Sequence, residues 1–225
     1  MVATLATVTL MIPISAHAAD DCPGADLVPS VETVREVTQA TLCVLNAQRD
    51  AHGLGGLTES VALTRAAGAY STRMVGESFF AHVAPDGSDL VTRLDAVSYL
   101  AGASWAVGEN IAWGQGPLSS ARSIVGAWMN SPAHRANVLG VEYAEIGIGI
   151  VLGIPGDLSW GATFTTDFGT RAGIDAVAQP ARSGARRPPR AATRAPICAR
   201  AAGARRTTAR RRGRVCGRIA GRVAR

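Results

Sequence analysis

The chain reads as an α+β domain in which helices come first and an antiparallel sheet closes the fold. Three observations carry that expectation. Apolar residues recur at helical spacing over residues 34–52 and again over 58–75. The segment 144–152, Ala-Glu-Ile-Gly-Ile-Gly-Ile-Val-Leu, turns to an apolar β-rich run, and 160–168 alternates in residue type. Pro155-Gly156-Asp157 between them has the composition of a hairpin turn. Helices and strands segregated along the chain favour a layered α+β domain over a βαβ wind.

Each element has a local reason. Cys22 to Pro29 is an extended arm. Ser30 is the expected N-cap of the first helix, with Glu32 and Glu36 suited to its positive end. Val34, Val37, Leu42, Val44 and Leu45 form its inner face as far as His52, and Gly53, Gly55 and Gly56 stop it. Thr58 is the expected cap of the second helix, whose inner stripe is Ala66, Ala67, Tyr70 and Met74. After the turn at Pro85-Asp86-Gly87 comes a short amphipathic helix over 89–99. Ile111 to Trp113 reads as a brief strand, and 118–130 as a third long helix broken by Pro132.

Charge divides the chain into regions. Residues 1–171 carry 8 Arg against 16 acids, a net of −8, whereas 172–225 carry 15 Arg against Asp175 alone, a net of +14. The isoelectric point near 9.9 therefore describes the tail, and a nucleic-acid role for the whole protein is not implied. Residues 1–19 read as a signal peptide, with Leu5 to Ile14 mostly apolar and Ala16-His17-Ala18 as the cleavage site, although no basic residue precedes the apolar run. Residues 20–40 are the arm and the start of the first helix, and 41–170 the folded domain. Residues 171–225, rich in Arg, Ala, Gly and Pro, lack the large apolar residues of a core. Three readings stay open for them: a cationic tail gripping an anionic envelope, an inert extension, or a frame-shifted translation of GC-rich DNA. Export implies an oxidising compartment, in which Cys22 and Cys43 are expected to bridge, while Cys198 and Cys216 lie in the tail.

Once His17 leaves with the leader, three histidines remain. Two of them sit in compact motifs, Phe79-Phe80-Ala81-His82 and Ser131-Pro132-Ala133-His134, with Gly108-Glu109-Asn110 between. Two imidazoles and a carboxylate can hold a divalent ion such as Zn²⁺ or run acid–base chemistry. Equally, each histidine can serve a local hydrogen bond. Glu109, flanked by Ile111, Ala112 and Trp113, is expected to be partly buried, so it needs a partner, an imidazole or Arg135. Arg93 is expected to close on a carboxylate near the Asp86 turn. Asn46, Arg49, Asn110 and Asn137 read as structural. No nucleophile elbow is present, and Gly147-Ile148-Gly149 lacks a dinucleotide fingerprint.

Taken in order, Asn46-Ala47-Gln48-Arg49, Ala81-His82 with Asp86-Gly87, Gly108-Glu109-Asn110-Ile111-Ala112, Trp128 through Asn137, and Asp167-Phe168-Gly169 resemble the CAP superfamily. This family is also called the SCP domain family, after cysteine-rich secretory proteins, antigen 5 and pathogenesis-related 1, and the likeness is to its bacterial branch. The resemblance implies an α-β-α sandwich with a small antiparallel sheet, secretion, and a cleft lined by His82, Glu109 and His134. Family members have been credited with metal binding, sterol or lipid binding and occasionally proteolysis. Two cleft residues of the eukaryotic pattern are missing, since Ser131 stands where a second Glu is usual and 160–163 offers no His. The expectation is a secreted protein whose cleft takes a small ligand, a lipid or a divalent metal held by His82 and His134. Binding is favoured over turnover. The alternatives are a metal-assisted hydrolase with Glu109 as base, and a non-catalytic envelope interaction protein.

Overall fold

A computed structural model describes residues 21–101, 104–172 and 214–215. The predicted leader and, apart from Arg214–Val215, the tail beyond residue 172 with Cys198 and Cys216 lie outside the described residues. The order of elements is α1 (Val34–Ala51), β1 (Thr58–Glu59), α2 (Val61–Gly76), α3 (Leu90–Ala96), β2 (Ser104–Gly114), α4 (Ala121–Asn130), α5 (Pro132–Val138), β3 (Glu145–Ile154), β4 (Asp157–Ala172) and β5 (Arg214–Val215). The sheet order is β1-β3-β4-β2-β5. Its centre, β3-β4-β2, is antiparallel as expected, whereas the two-residue strands β1 and β5 pair in parallel with β3 and β2. The expected antiparallel sheet is thus mixed at its margins.

The sheet separates two helical layers, giving the α-β-α sandwich. On one face, Trp128, Ile124, Val37, Val44 and Leu45 of α1 and α4 pack against Phe164 and Phe168 of β4. On the other, Leu63, Leu94, Tyr99 and Val107 form one cluster, and Tyr70, Met74 and Ile111 another. The expected inner stripe of α2 (Ala66, Ala67, Tyr70 and Met74) is buried.

Four local expectations need correction. Ser30 does not cap α1 directly. Its hydroxyl accepts from the amides of Glu32 and Thr33 in a preceding turn, and Thr33 occupies the N-cap position. Thr58 is not a helix cap, because its amide donates to Ala144 and it begins β1, leaving Ser60 to precede α2. The strand expected at 111–113 is eleven residues long, paired with β4 from Ser104↔Ala172 to Gly114↔Ala162. Gly108, Glu109 and Asn110, poor strand formers, mask its middle. Consequently the strands do not all follow the helices. The helix expected over 118–130 splits into a 3-10 turn at Gly116–Ser119 and α4, and Pro132 begins α5 at its first position, where a missing N–H is tolerated.

Two glycines set the distance between α2 and the sheet. A Cβ on Gly147 would lie 2.0 Å from the Leu63 carbonyl carbon, and one on Gly149 would lie 2.3 Å from that of Ala67. The Gly-x-Gly of β3 therefore lets the α2 backbone rest directly on the strand. Opposite, Arg49 at the end of α1 is buried and donates to the carbonyls of Gly55, Val138, Gly140 and Tyr143. It ties the α1 exit to the α5–β3 turn. Asn46 makes a two-way bond with the Leu57 backbone. The N-terminal arm is held by the Cys22–Cys43 disulfide and by Arg122, which pairs with Asp26.

Gly147→Ala is expected to destabilise the domain by about 3 kcal/mol or more, since backbone must shift. Gly55→Ala, with nothing near its would-be Cβ, should change stability by less than about 0.5 kcal/mol. Urea unfolding of both variants checks the pair. The disulfide closes a loop with a sequence separation of 21. A Cys22→Ser, Cys43→Ser double variant should lose about 3 kcal/mol by the loop-entropy estimate, read as a lower urea midpoint.

Candidate functional site

The site lies on β2, at the side of the three-stranded centre away from β3, where both helical layers reach the same strand. Successive strand residues face opposite sides, so Glu109 points into the α2–α3 layer and Asn110 into the α4–α5 layer. Glu109 is 3% exposed and accepts from His82 Nδ1 at 2.7 Å and from Arg93 at 2.5 Å. A carboxylate cannot donate, so in this contact His82 donates from Nδ1 and its other ring nitrogen, Nε2, is turned away from Glu109. The side chain of His82 is 17% exposed, which makes it the solvent-facing end of this chain of contacts.

Arg93, on α3, organises the loop that carries His82. Its guanidinium donates to the carbonyls of His82 and Ser88 and lies 3.4 Å over the Tyr70 ring. Tyr70 in turn donates to the Ala81 carbonyl at 2.6 Å. The acid expected for Arg93 near the Asp86 turn is instead Glu109. Asp86 faces outward, pairs with Arg73 and accepts from Ser88, contacts that hold its carboxyl down at about 2. Arg135, a candidate partner for Glu109, lies on the surface against His52.

On the other side of the strand, Asn110 donates to the His134 carbonyl, and Asn137 donates to the Glu109 carbonyl and to the Asn110 side chain. Asn110 and Asn137 thus lock α5 onto β2, with Asn137 near the end of α5. His134 is 1% exposed, and neither ring nitrogen has a hydrogen-bond partner among the described residues. Burial, and then the nearby His82, hold its imidazole down at about 4, so it is neutral at physiological pH. His82, Glu109 and Arg93 are thus in direct contact, whereas His134 reaches the same strand through its backbone carbonyl on Asn110, its ring near enough to His82 to be influenced by its charge. Asn46 and Arg49 brace the fold elsewhere.

Asp167 is a site residue that sequence reasoning did not single out as an acid. It lies directly opposite Glu109 in the β2–β4 register and is fully buried. Burial, and then the charge of Glu109, push its carboxyl well above the usual carboxylate range. Alternation along β4 places Asp167 on the face opposite Phe164 and Phe168, and only the covering of that face by α2 buries it, so no local signal could have flagged it. Among the described residues no three His, Cys, Asp or Glu side chains converge as a metal ion needs. The donor set does not fit the expected Zn²⁺ site, because Glu109 is already committed to Arg93 and His82.

With this geometry in place, the comparisons identify the class. The family model of the cysteine-rich secretory protein family, CAP, matches residues 42–164, and the chain belongs to that family. It is 36% identical over 108 residues to the uncharacterized protein YkwD of Bacillus subtilis, a match covering 47% of this chain and 39% of that protein. The chain thus spans well under half of that relative's length. Among solved structures it resembles an outer surface protein from Borrelia burgdorferi, with TM-score 0.53 and 19% identity over 64% of this chain and 99% of that one. An SCP-domain extracellular protein from Bacillus anthracis matches with TM-score 0.49 and 22% identity over 62% of this chain and 43% of that one.

A pH dependence follows from His134. Its folded pKa lies below the ordinary 6.5, so the unfolded chain takes up the proton first as pH falls. Stability should be fully present above about pH 6.5 and drop by up to about 3 kcal/mol on acidification toward pH 4. His134→Leu should flatten that acid limb in urea unfolding series while leaving the protein folded at neutral pH.

Proposed function

We propose that this chain is an extracellular CAP-domain protein that binds a small polar ligand at the β2 edge, with His82 as the contacting group. No helix among the described residues is long and apolar enough to cross a membrane, and the apolar leader together with the Cys22–Cys43 bridge supports export. One observation carries the binding reading: the partly exposed His82 is oriented from behind by a buried Glu109–Arg93 pair. A buried ion pair adds little net stability, so retaining one to aim an imidazole favours a chemical role for that imidazole. Basic Nε2 suits a ligand that donates a hydrogen bond.

A hydrolase with Glu109 itself as base has less support, because both oxygens of Glu109 are engaged and the residue is 3% exposed. The arginine-rich tail would hold the protein near anionic envelope polymers by charge alone.

Imidazole-selective NMR spectra, recorded against a library of small polar compounds and Zn²⁺, test the reading. Binders should move the His82 resonances before those of His52, and His82→Ala should abolish the response without loss of fold. Zn²⁺ should give similar calorimetric heats for the wild type and for a His82→Ala, His134→Ala double variant. Compounds that bind while leaving His82 unmoved would overturn the assignment.

A further inference from the structure

The buried acids of this site outnumber the cation that meets them. Glu109 and Asp167 stand directly opposite each other on β2 and β4, on the face covered by α2, at 3% and 0% exposure. The groups facing them are Arg93 from α3, Tyr70 and Arg73 from α2, and His82 from the loop before α3. Among the described residues, Arg93 is the arginine that brings its charge into contact with a carboxylate of the pair, and it contacts Glu109. Arg73 is engaged outward by Glu77 and Asp86. Burial pushes the Tyr70 hydroxyl up to about 12, so it stays neutral.

Among the described residues, neither oxygen of Asp167 meets a donor from another side chain. Its polar neighbour is the Glu109 carboxylate, itself an acceptor. Two ionised carboxylates in that position would leave one buried negative charge without a partner, a far greater penalty than keeping a proton. The hydrogen bond open to the pair is therefore one made with a proton of its own.

We propose that Asp167 is a positioning residue of the site: it stays a neutral carboxylic acid, donates its proton to Glu109 across the sheet, and holds Glu109 as a singly charged acceptor between Arg93 and His82. The two buried carboxyl groups then carry one negative charge between them, matched by Arg93. Glu109 is gripped from three directions, by a guanidinium, an imidazole N–H and a carboxylic O–H. That grip fixes the rotamer of Glu109 and with it the Nδ1–H tautomer of His82. The inference rests on the reading of His82 as the ligand-contacting group, and adds what sets its proton position.

Carbon-detected NMR of the full chain tests it, with the Asp167 side-chain carbonyl assigned by its disappearance in Asp167→Asn. That resonance should sit at the position of a protonated acid throughout the neutral range. Asp167→Asn keeps a donor toward Glu109, so the nitrogen shifts of His82 should still report the Nδ1–H tautomer and its titration midpoint should not move. Asp167→Ala removes the donor and should give mixed His82 tautomers with a shifted midpoint. Should Asp167→Ala fail to fold, the carbonyl position and Asp167→Asn decide alone. A carboxylate-like resonance at neutral pH overturns the proposal, as does a fall of the His82 midpoint in Asp167→Asn, the sign of a lost negative charge. If the Asp167 resonance is that of a protonated acid but no compound in the library moves His82, the ligand-binding reading fails and the proton assignment stands.

Discussion

A carboxylate in the middle of the central sheet governs the arrangement around it. Glu109 sits on β2 with almost no contact with water, and an isolated charge there would be heavily penalised. The surrounding fold supplies what water would have supplied. Arg93 comes from α3, His82 from the loop before it, and Asn137 secures the Glu109 backbone from the opposite layer. The loop over 78–89 is ordered by the same arginine, whose guanidinium stacks on Tyr70 and accepts no substitute of different shape without losing the two carbonyl contacts. Structure and candidate chemistry are therefore one network.

The sheet makes that network possible by dividing the two helical layers. Alternation along β2 sends Glu109 to one helical layer and Asn110 to the other, so a histidine from each layer reaches the same strand. Rigid placement follows from close packing. Gly147 and Gly149 bring α2 onto β3, and Arg49 anchors the turn between α5 and β3 through three carbonyls. Neither feature touches a ligand group, yet both determine where α2 and α5 stand relative to β2.

Much of this is legible in the chain and some is not, for identifiable reasons. The helices α1 and α2 show as periodic apolar stripes, and the β3–β4 hairpin as an apolar run, a Pro-Gly turn and an alternating return. The middle of β2 is hidden because Gly108, Glu109 and Asn110 are residues that strands usually avoid, and its stability comes from eleven registered partners on β4. Pro132 reads as a stop because a proline breaks a helix it interrupts. At the first position of α5 it begins one. Asp86 and Glu109 are equally acidic on paper, and only the packing of α3 decides which of them receives Arg93.

From the sequence alone came the helices α1 to α4, the strands β3 and β4, the pairing of Cys22 with Cys43, the family likeness, and the idea that His82, Glu109 and His134 belong together. Those depend on periodicity, turn chemistry and short motifs, which are local properties of a chain. Tertiary structure decided the partner of Arg93, the burial of Asp167 against Glu109 and the absence of a three-ligand metal set among the described residues. Such properties depend on distance and on exclusion of water between residues far apart in sequence, as with Glu109 and Asp167, which only strand register brings face to face.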